Sequence, residues 1–302
     1  MNTLVISLVG LSALLHAGWN LICKKQKSSN VSFFLLFATG SVMFWLPFVI
    51  LVFRSHEVNI PIQVWCILVS SGLANAIYYA GLGRAYQISD ISMSYPLVKA
   101  LPILMITLFC LSIKAEAITF WGIAGIMFLL MGSLLMPMKK FSNFSIRNYL
   151  NRSCIFILIA ATASAGYMLL DSEGMKILKS MDCTMKKYQL SIVYIFFENL
   201  FILPFLSIFI VSRKAGRIQL QEFLRNFSIA PFFTGIMCTI SYSLVLAAML
   251  FTDNVSFIVA LRQISVPLGA FAGIVFLKEP GYSPKVSGAL VIVGGLFLVY
   301  MA

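Results

Sequence analysis

Charge is what this chain has least of. Only 11% of its 302 residues are Asp, Glu, Lys or Arg, against 60% hydrophobic and 14% aromatic. A soluble domain carries about 25% charged and about 45–50% apolar residues. So apolar a surface cannot be covered with polar groups, which excludes an ordinary water-soluble domain and leaves the bilayer as the solvent. Histidine is almost absent too. With only His16 and His56, a multi-histidine metal site is excluded. The six cysteines (Cys23, Cys66, Cys110, Cys154, Cys183, Cys238) are far apart and include no CxxC pair. They offer neither zinc spacing nor a disulfide framework, and in apolar runs a free cysteine behaves as a small hydrophobe. Enzyme motifs are missing as well: there is no GxSxG or HExxH, and Gly81-x-Gly83 stops short of GxGxxG. No enzymatic activity and no cofactor are expected. The N-terminus lacks a basic region ahead of its apolar run, since Lys24-Lys25-Gln26-Lys27 follows it, so it does not read as a cleaved signal peptide.

The net charge of +12 invites a nucleic-acid reading, but the Lys and Arg sit in short gaps between apolar runs. They read as the cationic ends of membrane helices, and no nucleic-acid partner is expected. A span needs roughly 17–25 mostly apolar residues. Ten stretches qualify: 3–23, 32–53, 62–84, 91–112, 118–137, 153–171, 188–211, 228–250, 255–277 and 284–301. The largest polar segments (138–152, 172–187 and 212–227) are too small to fold alone. The fold class is therefore all-α, a polytopic membrane bundle whose main partner is the lipid bilayer.

Offsets within the chain point to an internal duplication. At a shift of 163, Gly72 meets Gly235, Tyr79 meets Tyr242, Asp90 meets Asp253 and Glu116 meets Glu279. At the same shift Gly125 meets Gly288, Gly132 meets Gly295 and Lys99 meets Arg262. Earlier spans match at smaller shifts: Pro47 with Pro204 at 157, and Ala17-Gly18-Trp19 with Ala165-Gly166-Tyr167 at 148. Loop insertions in the second half account for the stepwise growth. Five spans per half is an odd number, so the second half enters from the opposite side. Such inverted repeats recur in transporters, with the solute site near the midplane between the halves.

Charges inside hydrocarbon cost about 2.5–3.5 kcal/mol each on insertion scales, so they mark function or a specific partner. Lys99 in span four and Arg262 in span nine lie too deep to reach the interface. They read as cations facing a shared cavity, or as groups paired with a carboxylate or with carbonyls freed by nearby prolines. Tyr95, Pro96 and Pro102 share the Lys99 face, and Ser265 shares that of Arg262. Gly269-x-x-x-Gly273 on the same helix reads as a packing motif. Glu198, near the centre of span seven, is either a proton-coupling group, with the proton as coupling ion, or the counter-ion of one of those cations. His16, with Ser12, Trp19 and Asn20, forms a polar stripe on span one. Asn75, Tyr78 and Tyr79 form another on span three, facing Ser241 and Tyr242 of span eight. Asp171, at the end of span six, reads as interfacial. Glu116 and Glu279 read as structural carboxylates near helix N-termini.

Together these features resemble the drug/metabolite transporter superfamily, EamA branch. Leu14-Leu15-His16-Ala17-Gly18-Trp19-Asn20 resembles the end of that family's first span. Tyr95-Pro96-Leu97-Val98-Lys99-Ala100 is similar to its fourth-span pattern, with Lys in place of Arg. The Glu116…Gly125 and Glu279…Gly288 spacings resemble the opening of the last span of each half. The resemblance implies two five-helix repeats, 1–138 and 153–302, joined by a linker over 139–152. It also implies a cavity that alternates between the membrane faces, usually exporting amino acids or other small metabolites across the inner membrane. A membrane scaffold or lipid-handling factor without vectorial transport is the alternative.

Orientation follows from the cations. Of the 22 Lys and Arg, six fall in gaps after even-numbered spans, two lie within spans, and the rest follow odd-numbered spans. That bias places both termini outside, whereas the resemblance implies cytoplasmic termini. The charge count predicts that a reporter fused after Ala302 reads extracytoplasmic and one at Asn148 cytoplasmic. The opposite pattern in a dual-reporter assay would overturn it.

Overall fold

Every described residue of the computed structural model belongs to a helix or a short connection, and no strand occurs among them. The structure describes residues 3–25, 31–57, 59–88, 91–112, 119–143, 152–181, 185–226, 228–252 and 254–301. Helices are what a bilayer permits, because each satisfies its backbone hydrogen bonds within itself. In order they are α1 (Thr3–Lys25), α2 (Val31–Ser55), α3 (Ile62–Ile88), α4 (Ile91–Ser112), α5 (Phe120–Leu135), α6 (Arg152–Ser180) and α7 (Lys187–Val211), then α8 (Lys214–Arg225), α9 (Ala230–Met249), α10 (Val255–Leu261), α11 (Ser265–Leu277) and α12 (Ser283–Tyr300). Eight segments are long and apolar enough to cross a membrane, and two shorter apolar helices, Val98–Ser112 and Phe120–Leu135, accompany them. The chain is a multi-pass helical membrane bundle. Asp90, Glu116, Cys183 and Asp253, used in the sequence reading, lie outside the described residues.

Four departures from the sequence reading matter for the site. Span six does not stop at residue 171, because α6 continues to Ser180. Asp171 is thus mid-helix and fully buried rather than interfacial. A hydropathy window ends at the first acid, but an acid facing other helices instead of lipid does not end a helix. Span nine is not one helix either. α10 passes through a 3-10 turn, Arg262–Ile264, into α11. Pro267 has no N–H to offer the carbonyl four residues back, at Gln263, so the break falls where Arg262 sits. The segment 212–227 is not merely a loop: α8 is amphipathic and buries none of its residues, as a helix lying in the membrane interface does. Lastly, Gly269 and Gly273 receive no helix. A Cβ at Gly269 would meet nothing, and one at Gly273 would meet the Glu279 side chain at 3.0 Å.

The close approach lies elsewhere, between α5 and α12. A Cβ on Gly125 would stand 2.7 Å from the Gly295 carbonyl oxygen, and one on Gly295 would stand 2.8 Å from that of Gly125. Gly132 and Gly288 repeat the reciprocity at 2.6 Å each way. Only glycine lets two helix backbones come this near. At the entry to α5, Thr119 caps the helix by accepting from Gly122 N at 3.2 Å. After α11, Lys278 takes the left-handed conformation (φ 53°) and ends the helix. Glu279, in the turn before α12, is held by Lys285 Nζ at 2.8 Å.

Replacing Gly295 by Ala forces a methyl into backbone and is expected to cost about 1–3 kcal/mol. Gly294→Ala, one residue away with nothing within 4 Å of its Cβ, is expected to be neutral or better. Thermal melting of the two purified variants in detergent checks the contrast.

Candidate functional site

Near the centre of the bundle is a narrow cavity of about 30 Å³. Its walls are α1, α2, α3, α4, α6, α7, α9 and the 3-10 turn, so residues far apart in sequence converge on it. His16, Trp19, Asn75, Tyr78, Tyr79, Lys99, Glu198, Tyr242 and Arg262, all singled out above, line it. Ser265 lines an adjoining space of about 20 Å³ that shares His16, Lys99 and Arg262 with the first. Asn20 is not among the cavity residues. It turns its amide back to the carbonyl of His16 at 2.7 Å, so its role is within α1. The Tyr95 side chain lies outside the described residues, although its backbone belongs to α4.

Positive charge enters from two elements. Lys99 Nζ lies 5.9 Å from the centre of the Tyr78 ring. Arg262 Cζ lies 5.0 Å from the centre of the Tyr242 ring, close enough for a cation–π attraction. His16 Nδ1 faces both Arg262 Nη2 and Trp19 Nε1, each at 3.2 Å. Both of those groups can only donate, so Nδ1 accepts and the ring proton sits on Nε2. Arg262 Nε is buried and has no hydrogen-bond partner among the described residues. The 3-10 turn and α4 also meet directly: Gln263 Nε2 donates to the Lys99 carbonyl at 3.0 Å.

Negative charge enters from α6 and α7. Asp171 Oδ1 accepts from Tyr194 Oη at 3.0 Å and from Ser71 Oγ at 2.6 Å, and its Oδ2 accepts from Tyr242 Oη at 2.5 Å. Gly174 makes room for this, since any Cβ there would strike the Tyr194 ring at 2.8 Å. Glu198 Oε1 accepts from Asn75 Nδ2 and lies 3.2 Å from Ser71 Oγ. Glu198 Oε2 is buried with no partner among the described residues. Neither acid is in ion-pair contact with a cation among those residues. Glu198 is not a solitary intramembrane acid, since Asp171 is buried beside it and both approach Ser71.

Several cavity residues were not named as site candidates from the sequence: Tyr167, Asn199, Cys238 and Thr239, with Ser71 beside them. The duplication held the signal for two of them. Tyr167 is the counterpart of Trp19 at the offset of 148, and Cys238 that of Asn75 at 163. Together with Tyr79/Tyr242 and Lys99/Arg262, both members of each matched pair line the cavity.

No family model matches the chain, and no curated protein matches it. Among solved structures, 28 chains match. One crystal structure superposes with a TM-score of 0.65 at 12% identity, over 100% of this chain and 98% of that one. A likeness at that identity concerns the fold alone.

His16→Leu strands the Arg262 and Trp19 donors in the core. Each is expected to cost about 1–3 kcal/mol. His16→Gln restores an acceptor and is expected to recover much of the loss. Melting temperatures of the two variants against wild type test whether Nδ1 holds both donors.

Proposed function

We propose that this chain is a secondary transporter of the EamA-like kind, moving a small zwitterionic or anionic metabolite across the inner membrane by alternating access, in the direction of export. In this reading the eight long segments and the two shorter helices make ten spans, arranged as two inverted halves. The pattern of helix neighbours supports it. Exchange each of α1, α2, α3, α4 and α5 with α6, α7, α9, α10–α11 and α12. The pairing α3·α6 then becomes α9·α1, α4·α6 becomes α11·α1, and α3·α7 becomes α9·α2. The pairs α2·α7 and α5·α12 map onto themselves. All of these pairings occur. The reciprocal glycine contacts of α5 and α12 obey the same exchange.

One observation carries the solute class. The cavity is lined by both Arg262 and Glu198, and each carries a buried atom without a hydrogen-bond partner among the described residues: the donor Arg262 Nε and the acceptor Glu198 Oε2. An unmade hydrogen bond on a buried polar group costs about 1–3 kcal/mol, and more on a charged one. A solute with an acidic group and an ammonium or amide donor satisfies both at once. Guanidinium grips a carboxylate or phosphonate in bidentate fashion and keeps its charge when buried. Trp19, Tyr78, Tyr79, Tyr167 and Tyr242 supply aromatic walls. Arg262 therefore anchors the acid end, with Lys99 assisting.

A lipid-handling role has one observation in its favour. A lateral groove of about 780 Å³ beside α3, α7 and α8 is apolar apart from Arg84, Arg213 and four amide or hydroxyl side chains.

The experiment is a thermal-shift screen of purified protein with amino acids, aminophosphonates and quaternary amines, followed by proteoliposome flux of whatever stabilises it. Zwitterionic or anionic solutes are expected to raise the melting temperature. Arg262→Ala is expected to weaken their binding by about 1.5–3 kcal/mol, and more than Lys99→Ala does. Stabilisation by quaternary amines alone, unchanged in Arg262→Ala, would refute this solute class. Tight co-purification of lipid without solute flux would favour the groove.

A further inference from the structure

We propose that Asp171 and Glu198 are a single proton-binding site: one proton is held by the pair, relayed through Ser71, and its presence sets the charge of the cavity. This rests on the reading of the cavity as a solute site only for its consequence; the proton site itself stands on geometry. Ser71 has one hydroxyl hydrogen and two carboxylate oxygens within reach, Asp171 Oδ1 at 2.6 Å and Glu198 Oε1 at 3.2 Å. One hydrogen cannot serve both at full strength. The shorter contact takes it, so Ser71 donates to Asp171. The longer contact then lacks a hydrogen unless Glu198 brings one, with its carboxyl O–H donating to Ser71 Oγ. The chain Glu198 O–H to Ser71 O–H to Asp171 is complete with one added proton.

The remaining contacts divide the roles in the same way. Asp171 accepts from three hydroxyls, of Ser71, Tyr194 and Tyr242, an arrangement made for an anion. Glu198 instead leaves Oε2 without a partner, which costs a neutral carboxyl far less than a buried carboxylate. Two ionised acids sharing one hydroxyl would repel each other in a low-dielectric interior. The ionisable groups around the pair do not change the count. Tyr79 of α3, Tyr167 of α6, Tyr194 of α7 and Tyr242 and Cys238 of α9 are weak acids that stay neutral. His16 of α1 is neutral with Nδ1 accepting. Lys99 of α4 and Arg262 at the 3-10 turn are the cations, and neither is in ion-pair contact with the two acids.

Binding adds one O–H bond on Glu198, breaks none in the protein, and cancels one negative charge. With the proton on, the acids bring one negative charge to the cavity; with it off, two. Tyr242 ties that change to the solute anchor, because its hydroxyl donates to Asp171 at 2.5 Å while its ring lies under Arg262. A solute's anionic end and the proton therefore favour each other's binding, and by linkage the effect is reciprocal.

Infrared difference spectroscopy of the purified, solute-free protein tests the pair. Wild type at neutral pH is expected to show one protonated-carboxyl C=O band, absent in E198Q. D171N removes the neighbouring charge that adds to burial in holding the proton, and is expected to lose the band at lower pH than wild type does. S71A keeps both acids and is expected to shift the band to higher frequency, as the Glu198 O–H loses its acceptor. A wild type without the band, or a band unchanged in both D171N and S71A, would overturn the proposal. Should D171N fail to fold, S71A decides alone. The behaviour expected for the band, with no stabilisation by any anionic or zwitterionic solute, would leave the proton site standing and remove the solute reading.

Discussion

The arrangement of this molecule turns on the cost of keeping charge away from water. Lys99, Asp171, Glu198 and Arg262 lie in the interior of a bundle whose outer faces are suited to lipid. A stray charge there is costly enough to undo a helix's place in the membrane. Each of the four is therefore met by specific neighbours. Arg262 has the His16 acceptor and the Tyr242 ring, Asp171 has three hydroxyls, Glu198 has Asn75 and Ser71, and Lys99 lies over Tyr78. Among the described residues neither acid is in ion-pair contact with Arg262; Glu198 and Arg262 line one cavity, and Asp171 lies just behind Tyr242.

The backbone cooperates at the same places. Pro267 accompanies the break in the helix that carries Arg262, and Gln263 joins that break to α4 by donating to the Lys99 carbonyl. Gly174 opens the space through which Tyr194 reaches Asp171. These are local exceptions to helix regularity, placed where side chains must converge. Elsewhere apolar packing suffices: α2 and α7 keep Pro47 and Pro204 within continuous helices.

Much of this was legible in the sequence, for reasons that also explain what was not. Spans are visible because hydrocarbon demands a long apolar run, and their approximate limits survive in α2, α3, α7 and α9. Lys99, Arg262, Glu198 and the Asn75–Tyr78–Tyr79 stripe were visible because polar groups in such runs have nowhere else to go. Asp171 was misplaced for the converse reason: one-dimensional hydropathy treats any acid as an edge and cannot see that another helix will cover it. The partners of Asp171 come from α3, α7 and α9, and only folding brings them together. The break at Arg262 depends on a proline several residues further on, which in another setting produces only a kink. Tyr167 was already matched to Trp19 at the offset of 148, and Cys238 could have been matched to Asn75 at the offset of 163 that paired Lys99 with Arg262. The interfacial α8 was hidden by its shortness and its charge.

The glycine contacts of α5 and α12 have a mechanical consequence. Backbones that touch at two levels, with no side chain between them, have no slack to slide or splay, and so these helices form a fixed spine at one edge of the bundle. Under the proposed alternating access, the break at Arg262 is the natural place for a rearrangement that this spine would resist. A rigid label, a cross-link or a fused binding module attached along the spine would ride with the molecule as ballast. The same attachment across α1 and α11 would act as a brake.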